Sequence, residues 1–273
     1  MNRQNAQQQQ SSSRFSTLES PSGIICGDCA DILQGFPAES IDLTVTSPPY
    51  DDLRSYTGYA FDFKPIARAL WRISKPGGVV VWVVGDKIRK REGFTLSSFK
   101  QALFFQSIGF RVHDIMIYRK RNTPFMRSKA YTNCFEFMLV FSKGMPKTFH
   151  PLKEKTARSG YEMLPANRRA DGSFHKVLRK LNGTKTRTNI WEYAVGLGGT
   201  TSDKIAFKHP AVFPERLAED HILSWSDQGD LVLDPMCGSG TTLKVAKRLH
   251  REYIGVDISP EYCQIARQRL NTL

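Results

Sequence analysis

A short glycine-containing segment near residue 238 restricts the fold of this chain more than any other feature. It follows an apolar run at residues 231–233 and precedes a stretch with helical spacing, and Asp257 ends the next apolar run. Such a strand, glycine turn and helix place free backbone N–H groups at a ligand, while an acid after the next strand hydrogen-bonds ribose hydroxyls. A lone Gly-x-Gly is weak evidence, but here all the parts occur in order. The segment comprises Asp234, Pro235, Met236, Cys237, Gly238, Ser239, Gly240, Thr241 and Thr242.

A second distinctive segment, Ser47, Pro48, Pro49 and Tyr50, follows the apolar run at residues 41–46. Proline cannot continue a central strand, so the strand is predicted to end here. These residue types suit methylation of an exocyclic amine on a nucleobase, a poor nucleophile because its lone pair is delocalised into the ring. We predict that Ser47 Oγ and the Pro48 carbonyl accept the two amino hydrogens and that Tyr50 stacks on an extruded base. The alternative is an ordinary Pro-Pro turn, which the glycine segment makes the weaker interpretation.

The rest of the chain alternates between apolar runs and helical spacing, which predicts a buried sheet covered by helices. The sequence Lys75-Pro76-Gly77-Gly78 is interpreted as the end of a helix, and Phe99, Phe104 and Phe105 as core residues rather than a base-stacking surface. Predicted helices cover residues 30–36, 63–73, 95–108, 213–225, 242–250 and a stretch from 260 onwards. Predicted strands cover residues 24–26, 41–46, 79–84, 112–118, 135–141, 231–233 and 253–256.

The net charge of +13 is concentrated in one part of the chain. Between Tyr118 and Thr188 there are seventeen Lys or Arg and four acidic residues, an excess equal to that of the whole sequence. A neutral scaffold with one basic element is typical of enzymes that bind nucleic acid, whereas a merely solvated basic surface is the alternative. The predicted phosphate-binding residues are Lys176, Arg179, Lys180, Lys185 and Arg187.

Composition predicts four parts along the chain. Residues 1–22 are rich in Gln and Ser and are expected to form a disordered polar tail. Residues 23–144 are predicted to form the catalytic half of one domain and residues 206–273 its cofactor-binding half. Between them, residues 145–205 lose the regular alternation and are predicted to form a basic insert that recognises the target.

The chain shows no sign of secretion, membrane insertion or metal binding. Residues 1–13 offer neither a secretory leader nor a membrane span, so a cytoplasmic, reduced protein is expected. Cys26 and Cys29 form a CxxC pair, but the other three cysteines are scattered singly and supply no second ligand pair. No metal site is therefore predicted.

The two segments together resemble the motifs of the beta class of DNA amino-methyltransferases. In that family the catalytic motif precedes the cofactor motif, as here, because the Rossmann-like fold is circularly permuted. The resemblance covers residues 23–270 and includes Asn189-Ile190-Trp191 and His209-Pro210 in family order. It implies a circularly permuted Rossmann-like α/β fold with a basic target-recognition insert, S-adenosyl-L-methionine as cofactor and double-stranded DNA as partner.

The resemblance also implies which residues hold the cofactor. The glycine segment and Asp257 would bind it, His209, Phe213 and Pro214 would lie beside its methionine end, and Asp28 would lie near its adenine. The sequence departs from the family at Met236-Cys237, where a Phe followed by a small residue is usual. Methionine still offers an apolar surface to an adenosyl group.

Ser47 bears on the choice of base. Family members that modify adenine N6 usually carry Asp here, whereas Ser-Pro-Pro-Tyr resembles members that modify cytosine N4, and the following Arg54 and Tyr56 strengthen this likeness. The resemblance thus implies site-specific methylation of N4 of a flipped cytosine by direct in-line transfer, with Arg54 among the DNA contacts. N6-adenine methylation is the alternative.

Other function classes stay open at this point. Methyltransferases of RNA or of protein glutamine share the Pro-Pro-Tyr motif, although usually after the glycine segment, and a non-catalytic nucleic-acid-binding module could retain the fold. The resemblance further suggests a prokaryotic or phage-like protein that forms a homodimer and works with a cognate restriction endonuclease.

Overall fold

The computed structural model describes residues 22–49, 61–89, 92–122 and 128–272. The predicted tail up to residue 21 and two predicted site residues, Tyr50 and Arg54, lie outside the described residues. The chain forms two compact units. The smaller unit is His150–Thr188, and the larger unit contains the residues before and after it.

The larger unit is built on an eight-stranded sheet. In chain order the strands of the protein are β1 (Gly23–Cys26), β2 (Ile41–Thr46), β3 (Ser74–Val84), β4 (Ile88–Arg89), β5 (Gly93–Phe94), β6 (Arg111–Lys120), β7 (Phe135–Ser142), β8 (Lys153–Lys155), β9 (Gly160–Arg168), β10 (Phe174–Leu181), β11 (Thr184–Thr186), β12 (Ile190–Tyr193), β13 (Leu231–Asp234) and β14 (Glu252–Asp257). The order in the sheet is β1-β14-β13-β2-β3-β7-β6-β12. Only β7 runs antiparallel to its neighbours. The mixed, mostly parallel sheet confirms the Rossmann-like α/β prediction.

Six α-helices accompany the described strands. They are α1 (Cys29–Ile32), α2 (Phe63–Ile73), α3 (Ser97–Ser107), α4 (Glu215–Trp225), α5 (Thr241–Arg248) and α6 (Pro260–Leu270). Helix α2 begins where the Asp62 carboxylate accepts a hydrogen bond from Lys64 N, and ends where Ser74 Oγ donates to Leu70 O. Among the described residues, no helix is long and apolar enough to span a membrane.

The main core lies on the sheet face that packs against α2 and α3. Trp82 of β3 is fully buried, and its Nε1 donates to Gln101 Oε1 of α3 at 2.7 Å. Phe105 is also fully buried and stacks on Phe141 of β7 with ring centroids 4.4 Å apart. Phe99, also expected in this core, is 53% exposed; it lies near the start of α3, and its ring packs edge-on against Phe137 of β7 at a centroid distance of 5.5 Å.

Most predicted elements occur with small changes in their bounds. The strand at residues 41–46 and the helix at 63–73 have the predicted limits. Strand β3, however, begins at Ser74 and includes Lys75-Pro76-Gly77-Gly78, which the sequence suggested as a helix terminator. The reason is a backbone partner far along the chain: Gly77 N donates to Lys143 O and Lys143 N donates to Gly78 O.

The smaller unit consists of two antiparallel strand pairs. Strand β9 pairs with β10, and the short β8 pairs with β11. The unit covers fewer residues than the predicted insert at 145–205. One reason is that β12, which lies within that range, pairs in parallel with β6 of the large sheet. The assignment of residues 145–205 to target recognition remains a prediction.

Candidate active site

Four neighbouring parallel strands, β1, β14, β13 and β2, end at the same edge of the large sheet. A polar residue marks each end: Asp28 follows β1, Asp257 ends β14, Asp234 ends β13, and Thr46 with Ser47 ends β2. The carboxyl edge of a parallel sheet is where α/β proteins bind ligands. The fold therefore brings the two segments singled out in the sequence to one edge, although Thr46 and Asp234 are 188 residues apart.

The glycine segment forms a tight turn between β13 and α5. Cys237 N donates to Val256 O at 2.9 Å, and Gly240 N donates to Cys237 O at 2.7 Å. Gly238 and Gly240 adopt φ angles of +49° and +76°, which side chains disfavour. A Cβ at Gly240 would also lie 2.8 Å from Ala266 Cβ. The turn therefore depends on glycine, and α5 begins at the next residue with its N–H groups at this edge.

Asp257 anchors this turn from the neighbouring strand. Its Oδ2 accepts from Gly238 N at 2.8 Å, and its Oδ1 accepts from Ser259 N at 2.9 Å. Burial raises the pKa of Asp257, while the two backbone hydrogen bonds act against that rise. Each carboxylate oxygen retains a second lone pair. The residue thus fits a role in holding ribose hydroxyls as well as shaping the loop.

Asp234 joins the glycine segment to the catalytic strand. Its Oδ1 accepts from Thr46 Oγ1 at 2.7 Å and from Met236 N at 3.2 Å. A second link runs from Thr242 Oγ1 to Val45 O at 3.1 Å. Burial, only partly offset by these hydrogen bonds, raises the pKa of Asp234 to about 6. Two side-chain hydrogen bonds therefore fix the spacing of β2 and the glycine turn.

The predicted amine acceptors directly follow β2. Pro48 is buried, whereas Ser47 and Pro49 are partly exposed. Thr46, the residue before Ser47, is fully buried and held by Asp234. The segment is therefore fixed at its base and reaches the surface of the sheet edge at Ser47.

His209 lies directly against the glycine turn. An ideal Cβ on Gly238 would be only 2.8 Å from His209 Nε2. The ring packs edge-on against Tyr262 at a centroid distance of 4.3 Å, and its Nδ1 lies 2.6 Å from Ala211 O. The same nitrogen lies 3.1 Å from Ala211 N, so the Nδ1 side of the ring meets the backbone of Ala211 and the Nε2 side faces the glycine turn. Further along, Phe213 is partly buried and Pro214 is buried at the start of α4.

The two residues at which the sequence departs from the family have different environments. Met236 is partly buried and packs against the main core. Cys237 is buried, and burial with the nearby Asp234 raises the pKa of its thiol well above the usual range. A neutral, buried thiol is not a nucleophile, so Cys237 has a packing role in the turn.

Asp28 occupies the outer end of the predicted cofactor edge. Its side chain is exposed, and its Oδ1 accepts from Ala30 N at 2.7 Å as the cap of α1. Gly27 N, just before it, donates to Asp257 O and aligns β1 with β14.

Among the described residues, no group of three or more His, Cys, Asp or Glu side chains is arranged to hold a metal ion.

Sequence reasoning missed a buried ionic cluster behind the glycine turn. Arg269 and Lys244 contact the carboxylates of Asp203 and Glu215 at 2.7 to 3.0 Å. Arg269 Nη1 also donates to Ser239 O at 2.7 Å. These residues lie on separate elements, and no short-range motif in the sequence connects them.

The predicted phosphate-binding residues separate into distinct environments in the smaller unit. Side chains alternate along a strand, so Lys176 and Lys180 of β10 share one face, and Arg179 lies on the other opposite Glu162. Lys180 lies over the Tyr161 ring at 5.9 Å. Lys185 forms an ion pair with Glu154 at 3.1 Å, and Arg187 is partly buried.

Sequence comparison relates the chain to DNA methylases. The sequence profile of the DNA methylase family matches residues 41–268. The orphan methyltransferase M.BamHII of Bacillus amyloliquefaciens is 52% identical over 236 residues, which is 85% of this chain and 89% of that protein.

Solved structures show the same architecture. TTHA0409 of Thermus thermophilus, in complex with S-adenosyl-L-methionine, superposes with a TM-score of 0.61 at 27% identity, over 92% of this chain and 95% of that one. The cytosine-N4-specific PvuII DNA methyltransferase superposes with a TM-score of 0.67 at 22% identity, over 92% of this chain and 86% of that one. The second likeness concerns the fold alone.

Proposed function

Because this chain belongs to the DNA methylase family, we propose that it methylates the exocyclic N4 of a cytosine within a specific DNA sequence. At the coarser level, it is an S-adenosylmethionine-dependent DNA methyltransferase of the beta class of amino-methyltransferases. The observation that supports the finer proposal is Ser47 at the end of β2, next to the strand that carries the glycine turn.

The carboxyl edge of the sheet fits the cofactor. When bound, S-adenosylmethionine supplies a methyl group already activated by a positively charged sulfur. Asp257 would hold the ribose hydroxyls, and the turn at Gly238 lets the backbone approach closely. His209, Phe213 and Pro214 would border the methionine end, and Asp28 the adenine. The remaining loop residues from Asp234 to Thr242 would shape the turn.

Ser47 and Pro48 would prepare the target amine. Their oxygens would accept hydrogen bonds from its two N–H groups and aim the nitrogen lone pair at the methyl group, with the reacting atoms about 3 to 3.5 Å apart. The surplus proton of the methylated nitrogen would pass to solvent. The hydrogen bond from Thr46 to Asp234 holds the start of this segment in a fixed place relative to the glycine turn. Catalysis would then depend on placement, and Tyr50 would stack on the flipped base.

The choice of cytosine over adenine depends on the hydroxyl of Ser47. A neutral serine accepts one amino hydrogen without adding a negative charge beside it, whereas the aspartate typical of N6-adenine members would add one. N6-adenine methylation is therefore the second candidate. Methylation of RNA or protein is disfavoured because the family profile covers both motifs in this order.

The decisive experiment identifies the modified nucleoside. The purified protein is incubated with mixed-sequence duplex DNA and isotopically labelled S-adenosylmethionine, and the digested nucleosides are analysed by mass spectrometry. We expect N4-methylcytosine with the wild type and about 10²- to 10³-fold less of it per unit time with Ser47→Ala. Detection of N6-methyladenine alone would refute the base assignment. If no methylated nucleoside forms although the cofactor binds, the same assay on RNA and protein tests the remaining classes.

We also propose that the basic smaller unit recognises the DNA. Its exposed Lys176, Lys180 and Arg179 would contact phosphates, and Arg54 would contact DNA near the target base. M.BamHII is an orphan methyltransferase, which favours action without a cognate endonuclease here as well. A homodimer remains a prediction that sedimentation of the free protein tests.

A further inference from the structure

Arg269 of α6 is a buried cation in contact with the glycine turn. Its side chain is fully shielded from solvent. One end of the guanidinium, Nη1, donates to Ser239 O at 2.7 Å and lies 3.2 Å from Ser239 Oγ and 3.1 Å from Thr241 Oγ1. The guanidinium therefore holds the two residues that flank Gly240.

The other edges of the same guanidinium hold a second segment. Nη2 donates to Glu215 Oε1 at 2.7 Å, and Nε donates to Asp203 Oδ2 at 3.0 Å. These carboxylates bracket residues 203–215, the segment that contains His209, Phe213 and Pro214. One side chain thus links the glycine turn to both ends of the segment that carries His209, Phe213 and Pro214.

Lys244 of α5 completes the cluster. Its Nζ contacts Asp203 at 2.7 Å and Glu215 at 2.9 Å, and Arg248 Nη1 lies 3.8 Å from the other oxygen of Glu215. Burial of the carboxyls opposes ionisation, but the hydrogen bonds from Lys244, from Arg269 to Asp203 and from Thr201 to Glu215, together with the charges of Lys244 and Arg269, outweigh this and lower the pKa of both carboxyls. Asp203 and Glu215 are therefore negatively charged at neutral pH and face the cations directly.

The geometry of this contact requires arginine. Five N–H donors in a planar fork let Arg269 bind the turn and both carboxylates together, which the single ammonium of lysine does not reproduce. A buried guanidinium that lost partners would carry a large desolvation cost. The three contacted groups are consequently held in one relative arrangement.

We propose that Arg269 is a positioning residue for the methyl donor, since it sets the glycine turn at the correct distance from the His209–Pro214 wall. It acts through Ser239, Thr241 and the two carboxylates without touching the cofactor. This inference rests on the proposed cofactor site. Loss of Arg269 is expected to weaken cofactor binding and to leave the chemical step unaffected once the cofactor is bound.

Arg269→Lys tests the proposal, with Arg251→Lys as the matched control. Arg251 is also buried and donates to backbone carbonyls, of Ser226 and Leu249, but lies away from the glycine turn. For each variant, the Kd of S-adenosylmethionine is measured by calorimetry, kcat and both KM values by methylation of duplex DNA, and Tm by thermal unfolding.

We expect Arg269→Lys to raise the Kd and KM for S-adenosylmethionine about tenfold, while kcat at saturating cofactor and KM for DNA stay within about threefold of the wild type. Arg251→Lys should lower Tm with an unchanged cofactor Kd. If both variants change the cofactor Kd alike, Arg269 is only structural and the proposal is overturned. Failure of the wild type to bind the cofactor would instead refute the proposed function.

Glu215→Gln provides a second route if Arg269→Lys does not fold. The amide keeps an oxygen for Nη2 but removes the negative charge, so the guanidinium is held less firmly. We expect a rise of about threefold in the cofactor Kd with no change in KM for DNA. An unchanged Kd accompanied by a lower Tm would overturn the proposal.

Discussion

Polar residues are buried and hydrogen-bonded at the carboxyl edge of the large sheet, whereas those of the smaller unit, which contains β9 and β10, are largely exposed. At the sheet edge, Asp234, Thr46 and Asp257 are buried, and the two carboxylates accept hydrogen bonds from Thr46 Oγ1 at 2.7 Å and from Gly238 N at 2.8 Å respectively. In the smaller unit, ten Lys or Arg and three acids lie within 39 residues, and Lys176 and Lys180 are exposed. Fixed geometry suits transfer between two reacting atoms, whereas exposed charge suits attraction to a polyanion.

The largest effect that would test this contrast is expected at Ser47. Ser47→Ala removes one acceptor for the amine, and we expect kcat to fall about 10²- to 10³-fold, as when one preorganised hydrogen-bonding group is lost. Cofactor and DNA affinities should stay near those of the wild type. Steady-state and single-turnover methylation assays measure this. A loss of DNA affinity with kcat intact would place Ser47 in recognition instead.

Burial of Asp234 predicts a pH dependence that an exposed acid should not share. Because its folded pKa is about 6 against an ordinary 3.8, the folded state binds more protons between these values, and stability falls as pH rises from about 4 to 7, by about 3 kcal/mol. Asp234→Asn should remove this decline in urea unfolding. In the smaller unit, hydrogen bonds from Ser173 lower the pKa of the exposed Asp171. Asp171 therefore changes the pH dependence of stability in the opposite direction, and so should its replacement by Asn. Identical pH profiles for the wild type and Asp234→Asn would contradict the assignment.

Replacement of Gly238 tests whether the contact with His209, rather than the positive φ angle alone, is needed for cofactor binding. Gly238→Ala places a Cβ against His209, so we expect the cofactor Kd to rise more than about tenfold. Gly229→Ala is the control, because Gly229 has φ +84° but nothing within 4 Å of its Cβ position; it should cost about 1 kcal/mol of stability and leave the Kd unchanged. Equal Kd values for the two variants would contradict the proposed place of His209 beside the cofactor.

The smallest effect is expected from replacing lysines of the smaller unit, which should change DNA affinity and leave the chemical step unaffected. Replacing Lys176 and Lys180 together with Ala should lower DNA affinity, reduce the slope of log K against log salt by about 1.8 and leave kcat at saturating DNA unchanged. Arg179→Ala alone, on the opposite face of β10, should show whether one face or both contact DNA. An unchanged slope in the double variant would show that these lysines do not bind phosphates.

Local patterns predicted the elements but not every boundary. Helix α2 was predictable because Ile66, Leu70 and Ile73 recur at helical spacing and are all buried. The start of β3 was not, because its hydrogen bonds come from Lys143, far along the chain. Phe99 and Phe105 look alike in sequence, yet Phe105 is fully buried against Phe141 whereas Phe99 is 53% exposed.

In the candidate site, too, the contiguous motifs could be predicted from the sequence and the contacts between distant residues could not. The residues of the glycine turn and of the Ser47 segment could be identified from sequence because each motif is contiguous. The cluster of Asp203, Glu215, Lys244 and Arg269 could not, since its contacts join residues 29 to 66 positions apart. Only the fold shows that these charges meet behind the turn.

The pairing of β1 with β14 has a consequence for synthesis of the protein. Gly23 pairs with Ile254, so β1 leaves the ribosome long before β14, its neighbour in the sheet among the residues that the structure describes. Closing so long a loop is slow, and the unpaired edges of β1 and β2 stay open to wrong partners meanwhile. The enzyme therefore acquires its donor site only after β13 and β14 have been made, and the nascent chain has a long interval in which chaperone protection matters.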